Sequence, residues 1–325
     1  MRSAGGEAIA AVAKTYRAFA RTEAHGRSPA YEALAEAVAV DEVVAPFVAS
    51  LPRDKRQPNL LFAAARYLLG SPADLGRLRD LVRESGAELA KVMAERRTQT
   101  NEPARCAVFL PALAQLEGPL ALIELGASAG LIMLFDRYSY DYGGYRLAGS
   151  DEAAPTLRCE PRGPVPLPER VPDIAWRAGL DLSPLDVTSE DDVRWLSCLV
   201  WPGEGDRAER LAAAIASARR DPPAVHQGDL LTDLPALAAR APAGVTLVVY
   251  HSSVLYQVRP ESREAVAAAI RDLGAIWLSC ESPGVVAGTA DLPLAAPDGH
   301  LHVLARDGRP LGTGDSHGTW VRWLT

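Results

Sequence analysis

Between Leu120 and Leu131 the chain reads LALIELGASAGL, and its small residues suit two chemistries. Spaced as G-x-S-x-G, Gly126, Ser128 and Gly130 match the sharp turn that exposes the nucleophile of a serine hydrolase. Spaced as E-x-G-x-x-x-G, Glu124, Gly126 and Gly130 match the first strand and cofactor loop of a nucleotide-binding α/β domain, a tight turn that opens a helix at about residue 131. In that reading Ser128 is only a residue small enough to let a ligand come close. The hydrolase reading needs a base and an orienting acid. His317 and Asp315 are available, but two residues apart they make a doubtful relay. It also needs strands and a glycine-rich oxyanion loop upstream, and no such segment precedes residue 120.

The cofactor reading makes further demands, and the sequence meets them in order. An acid should end the second strand, within reach of a ribose diol, and RAGLDLSP supplies Asp181. A third acid should follow the third strand beside a base, and HQGDLL supplies Asp229. Both also suit a plain capping role. The fourth strand should end in functional residues, and VVYHSSVLY supplies His251 and Ser252. An unperturbed histidine titrates near neutrality and suits general-base work; a structural histidine under the sheet edge is the alternative. Glu281, after the fifth strand, lies at the same edge. Upstream, RRTQTNEPAR is unusually polar between two apolar helices. Gln99, Thr100, Asn101 and Arg105 either cap and turn the chain or line the cofactor or substrate mouth, where Arg105 suits a carboxylate. Tyr140 and Tyr142, in DRYSYDYGGYR, belong to an aromatic hairpin or to a substrate lid. His300, His302 and His317 have no neighbouring carboxylate or cysteine cluster, so no metal site is expected.

These residues need elements to position them. Up to about residue 118, apolar positions recur at helical spacing in 7–22, 30–49, 58–69, 73–84, 86–97 and 102–116. Ser28-Pro29 and Ser71-Pro72 look like helix starts, and Asn101 is a candidate cap for the helix from Glu102. From residue 120 short apolar runs take over, at 120–125, 174–181, 224–227, 245–250 and 275–280, with amphipathic helices at 207–219 and 261–273. That alternation implies a parallel sheet. The runs at 300–306 and 318–324 have no helix between them and read as an antiparallel hairpin at the sheet edge. Residues 138–172, rich in Tyr, Gly and Pro, read as an insert.

Composition bounds the partners. The chain has 325 residues, 48% of them hydrophobic, enough for a sizeable core. A formal net charge of −7 argues against nucleic acid as a general partner. No apolar run approaches the roughly 20 residues that span a bilayer, and the N-terminal segment is amphipathic, so no membrane association is expected. The 4 cysteines form no C-x-x-C pair, which fits reduced thiols in a cytoplasm.

ELGASAG, GLDLSP and QGDLL together resemble the cofactor loop, ribose acid and adenine-side acid of the class I S-adenosylmethionine-dependent methyltransferases. The closing hairpin resembles that superfamily's last two strands. Ser128 replaces the usual middle glycine, and the Tyr-rich insert lengthens the gap to Asp181. Over the whole chain, RRTQTNEPARCAVFLPAL, DRYSYDYGG and HLHVLARDG…HGTWVRWL resemble an uncharacterised bacterial family, domain-of-unknown-function family 2332. The resemblance implies an α/β fold. A helical domain over 1–118 would precede a Rossmann-like, mostly parallel seven-stranded domain over 119–325. It implies S-adenosylmethionine as cofactor, held by Glu124, Gly126, Ser128, Gly130, Asp181 and Asp229, and a small-molecule methyl acceptor. A non-catalytic ligand-binding or regulatory protein on the same scaffold is the competing class, and a hydrolase using Ser128 is the third.

Overall fold

The computed structural model describes residues 4–290, 292 and 300–324. The chain divides into two compact units, Met1–Thr100 with Glu190–Glu209, and Asn101–Ser189 with Arg210–Thr325.

The first unit is helical: α1 (Ala4–Phe19), α2 (Pro29–Val38), α3 (Val44–Ser50), α4 (Pro58–Leu69) and α5 (Leu75–Glu95). Ser28 caps α2 through its side chain, with Pro29 in the first turn. Asp74, not Ser71, caps α5. The runs at 73–84 and 86–97 form one helix with a non-helical residue, Ser85, inside it. The core of this unit holds an aromatic cluster in which Phe62 packs against Tyr16, Phe19 and Tyr31. A later segment joins this unit, although its sequence lies among the strands. Trp201 packs against Phe19 and Tyr31. Arg96 pairs with Asp191 and Asp192, which open α7 (Glu190–Cys198). The division at Thr100/Asn101 therefore differs from a simple cut at 118 in two places, the 190–209 segment and the helix at 105–113.

The second unit is built on a sheet. After α6 (Arg105–Leu113) come β1 (Leu120–Leu125), β2 (Ser139–Tyr142), β3 (Tyr145–Leu147), β4 (Thr156–Arg158), β5 (Glu160–Pro161) and β6 (Ile174–Asp181). Then follow α8 (Gly205–Arg220), within which the unit boundary falls, β7 (Val225–Gln227), α9 (Leu234–Ala238), β8 (Thr246–Ser252), α10 (Pro260–Asp272) and β9 (Ile276–Glu281). The chain closes with β10 (Leu301–Arg306), β11 (Arg309–Asp315) and β12 (Trp320–Trp323). The main sheet has nine strands among the described residues, not seven, in the order β5-β12-β11-β10-β9-β8-β1-β6-β7. β7, β6, β1, β8 and β9 are parallel, and β10 to β12 are an antiparallel meander. β1 is wholly buried, as a central strand covered on both faces must be.

Two expectations are corrected here. The hairpin partner of β10 is β11, not the strand at 318–324. Asp307 and Gly308 both have positive φ, 52° and 77°, the two-residue hairpin turn that Asp-Gly favours. The loop after β1 also opens no α-helix at residue 131. Leu131–Met133 is a single 3₁₀ turn, and the chain runs on into a small sheet of order β3-β2-β4.

Gly308→Val places a β-branched residue in the left-handed region and is expected to cost about 1–2 kcal/mol, measured by urea denaturation. Gly308→Asn should recover most of it.

Candidate functional site

In an open sheet, ligands gather beyond the carboxyl ends of the strands where the order reverses. Here the reversal lies between β1 and β8, because β6 and β7 extend to one side and β9 to the other. Gly126 to Gly130 leave β1 at that point. Gly126, Ser128 and Gly130 all have left-handed backbones, φ 67°, 53° and 73°.

The loop is fixed from three sides. Asn101 grips both ends: its Nδ2 donates to the Ala127 carbonyl at 3.0 Å, and its Oδ1 accepts from Leu131 N at 2.9 Å. Asn101 thus braces the loop instead of capping a helix. Asp181 Oδ2 accepts from Ser128 N at 2.8 Å, while Oδ1 accepts from Ser183 N at 2.7 Å. Third, the missing side chain of Gly126 leaves room for Val254. A Cβ there would sit 2.5 Å from Val254 Cγ2, and one on Gly130 would sit 2.7 Å from Pro223 Cγ. Both glycines are therefore needed for packing. Asp229, exposed at the end of β7, accepts from Leu231 N at 2.8 Å. Leu182, next to Asp181, is an exposed large apolar residue, 53% accessible. Sequence reasoning passed over it because a leucine after a strand reads as core.

Two glutamates are buried at this edge, on opposite faces of the sheet, and their carboxyls are pushed opposite ways. Glu124 pairs in register with Tyr250. Burial lifts its carboxyl well above the usual range; Arg105 opposes the shift, Asp181 adds to it, and the Tyr250 hydroxyl opposes it. Its Oε2 has no hydrogen-bond partner among the described residues. Glu281 is held below its usual range. Burial works the other way, but hydrogen bonds from His251 and from the Val254 and Leu255 amides prevail. All three reach one atom, Oε1, at 2.8, 2.7 and 2.9 Å.

His251 is fully buried. Trp277 Nε1, which can only donate, reaches His251 Nε2 at 3.0 Å. The ring is therefore protonated on Nδ1, toward Glu281, and both nitrogens are engaged. Ser252 Oγ is buried without a partner among the described residues, and its carbonyl accepts from Arg105 Nη1 at 3.2 Å. Arg105 is buried and also donates from Nε to the Ser316 carbonyl at 2.7 Å. Tyr140 and Tyr142 are buried, and their hydroxyls donate to the carbonyls of Phe135 and Ala107, the aromatic-hairpin arrangement. Gln99 and Thr100 belong to the helical unit.

The Ser128, Asp315 and His317 set is not assembled. Ser128 Oγ is buried without a partner among the described residues, while Asp315 accepts from the backbone of His317 and Thr319. A different pair is assembled. Ser253 Oγ lies 2.8 Å from His302 Nε2. Sequence reasoning weighed His302 only as a metal ligand; the available signal was a second serine just past the fourth strand.

Orphaned polar atoms test whether S-adenosylmethionine suits this edge. Ser128 Oγ and Glu124 Oε2 lack partners among the described residues, Asp181 ends β6 and Asp229 lies two residues past the adjacent β7, and Leu182 offers an apolar surface beside Asp181. That donor and acceptor set fits a nucleoside carrying a polar tail.

A family model described as an uncharacterised protein conserved in bacteria (DUF2332) matches residues 13–323, and the chain belongs to that family. No curated protein and no solved structure matches the chain.

Glu281→Gln removes the charge and sets an amide against three donors. It is expected to destabilise the sheet unit by about 3 kcal/mol. Glu124→Gln should be nearly neutral at pH 4. The stability that neutral Glu124 gives is complete below its unfolded value of 4.5 and is lost as pH rises toward its raised folded value. Melting curves of Glu124→Gln against the parent should therefore diverge in the variant's favour from pH 5 to pH 9.

Proposed function

We propose that this member of the family is an S-adenosylmethionine-dependent methyltransferase acting on a small molecule. The observation that carries the reading is a left-handed loop at the switch point, flanked in strand order by one acid at the end of β6 and another at the end of β7. Such an order offers a diol acceptor and an amine acceptor at successive steps away from the loop.

Each Asp181 oxygen already takes one amide, and each keeps a second lone pair for a ribose hydroxyl. Asp229 would accept from the amine of the base, and Leu182 would cover its face. The backbone from Gly126 to Gly130 would bound the polar tail. When bound, the cofactor supplies a methyl group on a positively charged sulfur. The chain's own task is to align an acceptor with it and exclude water. His251 takes no proton in this scheme, because its Nε2 lone pair is held by Trp277; it stiffens the strand end together with Ser252.

Calorimetric titration with S-adenosylhomocysteine tests the reading. Binding near micromolar is expected, about −8 kcal/mol. Asp181→Asn keeps an acceptor for Ser128 N but loses the charge and should weaken binding at least about tenfold. Heat-silent, undetectable binding to folded protein would leave the loop a packing device and favour a non-catalytic role for the scaffold.

A further inference from the structure

We propose that Ser253 and His302 form a serine–histidine catalytic pair that accepts the acyl group of a small ester or thioester. The geometry is that of a nucleophile and its base: Ser253 Oγ and His302 Nε2 are 2.8 Å apart, within hydrogen-bond reach. The serine is not in a relaxed turn. Its φ is 56°, a left-handed value that serine rarely adopts. Residues held this way persist only where the surroundings over-determine them, and they gather at functional sites. Here the surroundings are explicit. The next two amides are drawn onto Glu281 Oε1, and Ser253 N itself donates to the Cys280 carbonyl at 3.1 Å. The serine stands one residue past β8, on one flank of the switch point, and is only partly buried.

The base is set up to accept. Burial, reinforced by the Arg105 cation, lowers the His302 imidazole to about 4, against the opposing pull of Glu281, the Leu301 carbonyl and Asp315. The ring is therefore neutral at physiological pH. In the tautomer with the proton on Nδ1, a buried nitrogen without a partner among the described residues, the Nε2 lone pair faces the serine hydroxyl. Arg105 places positive charge beside the pair, since its guanidinium donates to the carbonyl of Ser252. The amides of Val254 and Leu255 are committed to Glu281, and Arg105, whose Nε and Nη1 hold the Ser316 and Ser252 carbonyls, contributes its positive charge to a developing oxyanion.

The chemistry balances with water as the only co-reactant. Ser253 Oγ bonds to the carbonyl carbon as its proton passes to His302 Nε2. The bond from that carbon to the leaving oxygen or sulfur breaks, and the leaving group takes the proton. Water then adds to the acyl carbon and gives a proton to Nε2. The carboxylic acid departs as Ser253 Oγ takes that proton back.

The pair is independent of the cofactor reading. Covalent labelling needs no S-adenosylhomocysteine, and titration with that ligand needs no Ser253. A fluorophosphonate probe on the full chain reads serine activation directly. Expected is stoichiometric labelling on the peptide containing Ser253, abolished in Ser253→Ala and at least about tenfold slower in His302→Gln, with both variants keeping the parent's circular dichroism. The labelling rate should be level from pH 6 to pH 8 and fall as pH drops toward the His302 value of about 4. No labelling of the folded parent, labelling at another serine, or an unchanged rate in His302→Gln would each overturn the proposal.

Discussion

One oxygen atom organises the carboxyl edge of this sheet. Oε1 of Glu281 gathers an imidazole N–H and two consecutive backbone amides in a place with almost no access to water. Burying a carboxylate costs several kcal/mol, and three charge-assisted hydrogen bonds of about 1.5–3 kcal/mol each are what offset it. The net gain is modest, but the geometry it imposes is not. Two adjacent amides can point at one atom only if the chain turns sharply after β8. Ser253 takes the strained conformation that makes this turn. Its side chain is thereby directed to His302, and Val254 is seated over Gly126. The loop after β1 thus takes its shape partly from a glutamate on β9, two strands away in the sheet.

The two buried glutamates show how burial alone does not decide protonation. Both lie on central parallel strands, at the same edge, with negligible exposure. Glu281 has three donors and stays ionised. Glu124 meets the tyrosine hydroxyl and a more distant guanidinium, and desolvation prevails. The difference follows from which face each side chain takes. The two-residue alternation puts His251, Trp277 and Glu281 together on the face that packs with the aliphatic cluster of Ile123, Leu125 and Val249, and Glu124 with Tyr250 on the other.

Much of this was legible in the sequence. The parallel strands were marked by short β-branched or leucine-rich runs, and 120–125 and 174–181 fall where the apolar pattern puts them. Helices with a proline in the first turn, such as α2 and α4, were equally clear. What periodicity could not reach were long-range choices. Nothing local says that Trp201 packs on Phe19 and Tyr31, so residues 190–209 read as part of the sheet half. The Asp307-Gly308 turn was locally encoded, but three short apolar segments near the end allow more than one pairing. At the edge of the sheet, residue type singled out Glu124, Asp181, His251 and Glu281, yet not what each of them contacts. Whether a histidine is a base or a brace depends on what its second nitrogen meets, and Trp277 lies 26 residues away in the chain.

The same limit bears on the glycine loop. A cofactor loop and a tight packing turn ask for the same residues, because both bring something close to the backbone. At Gly126 and Gly130 that something is protein, Val254 and Pro223. The glycines therefore do not distinguish a bound ligand from a packed interior. The polar atoms do so better. A turn built only for packing has no use for an unpartnered Ser128 hydroxyl or an unpartnered Glu124 carboxyl oxygen. Such groups are costly or idle in an empty edge and useful against a polar ligand. Specificity for a ligand at this edge would come from the acids and hydroxyls, while the glycines and the Glu281 turn supply the rigid frame that keeps those groups in register.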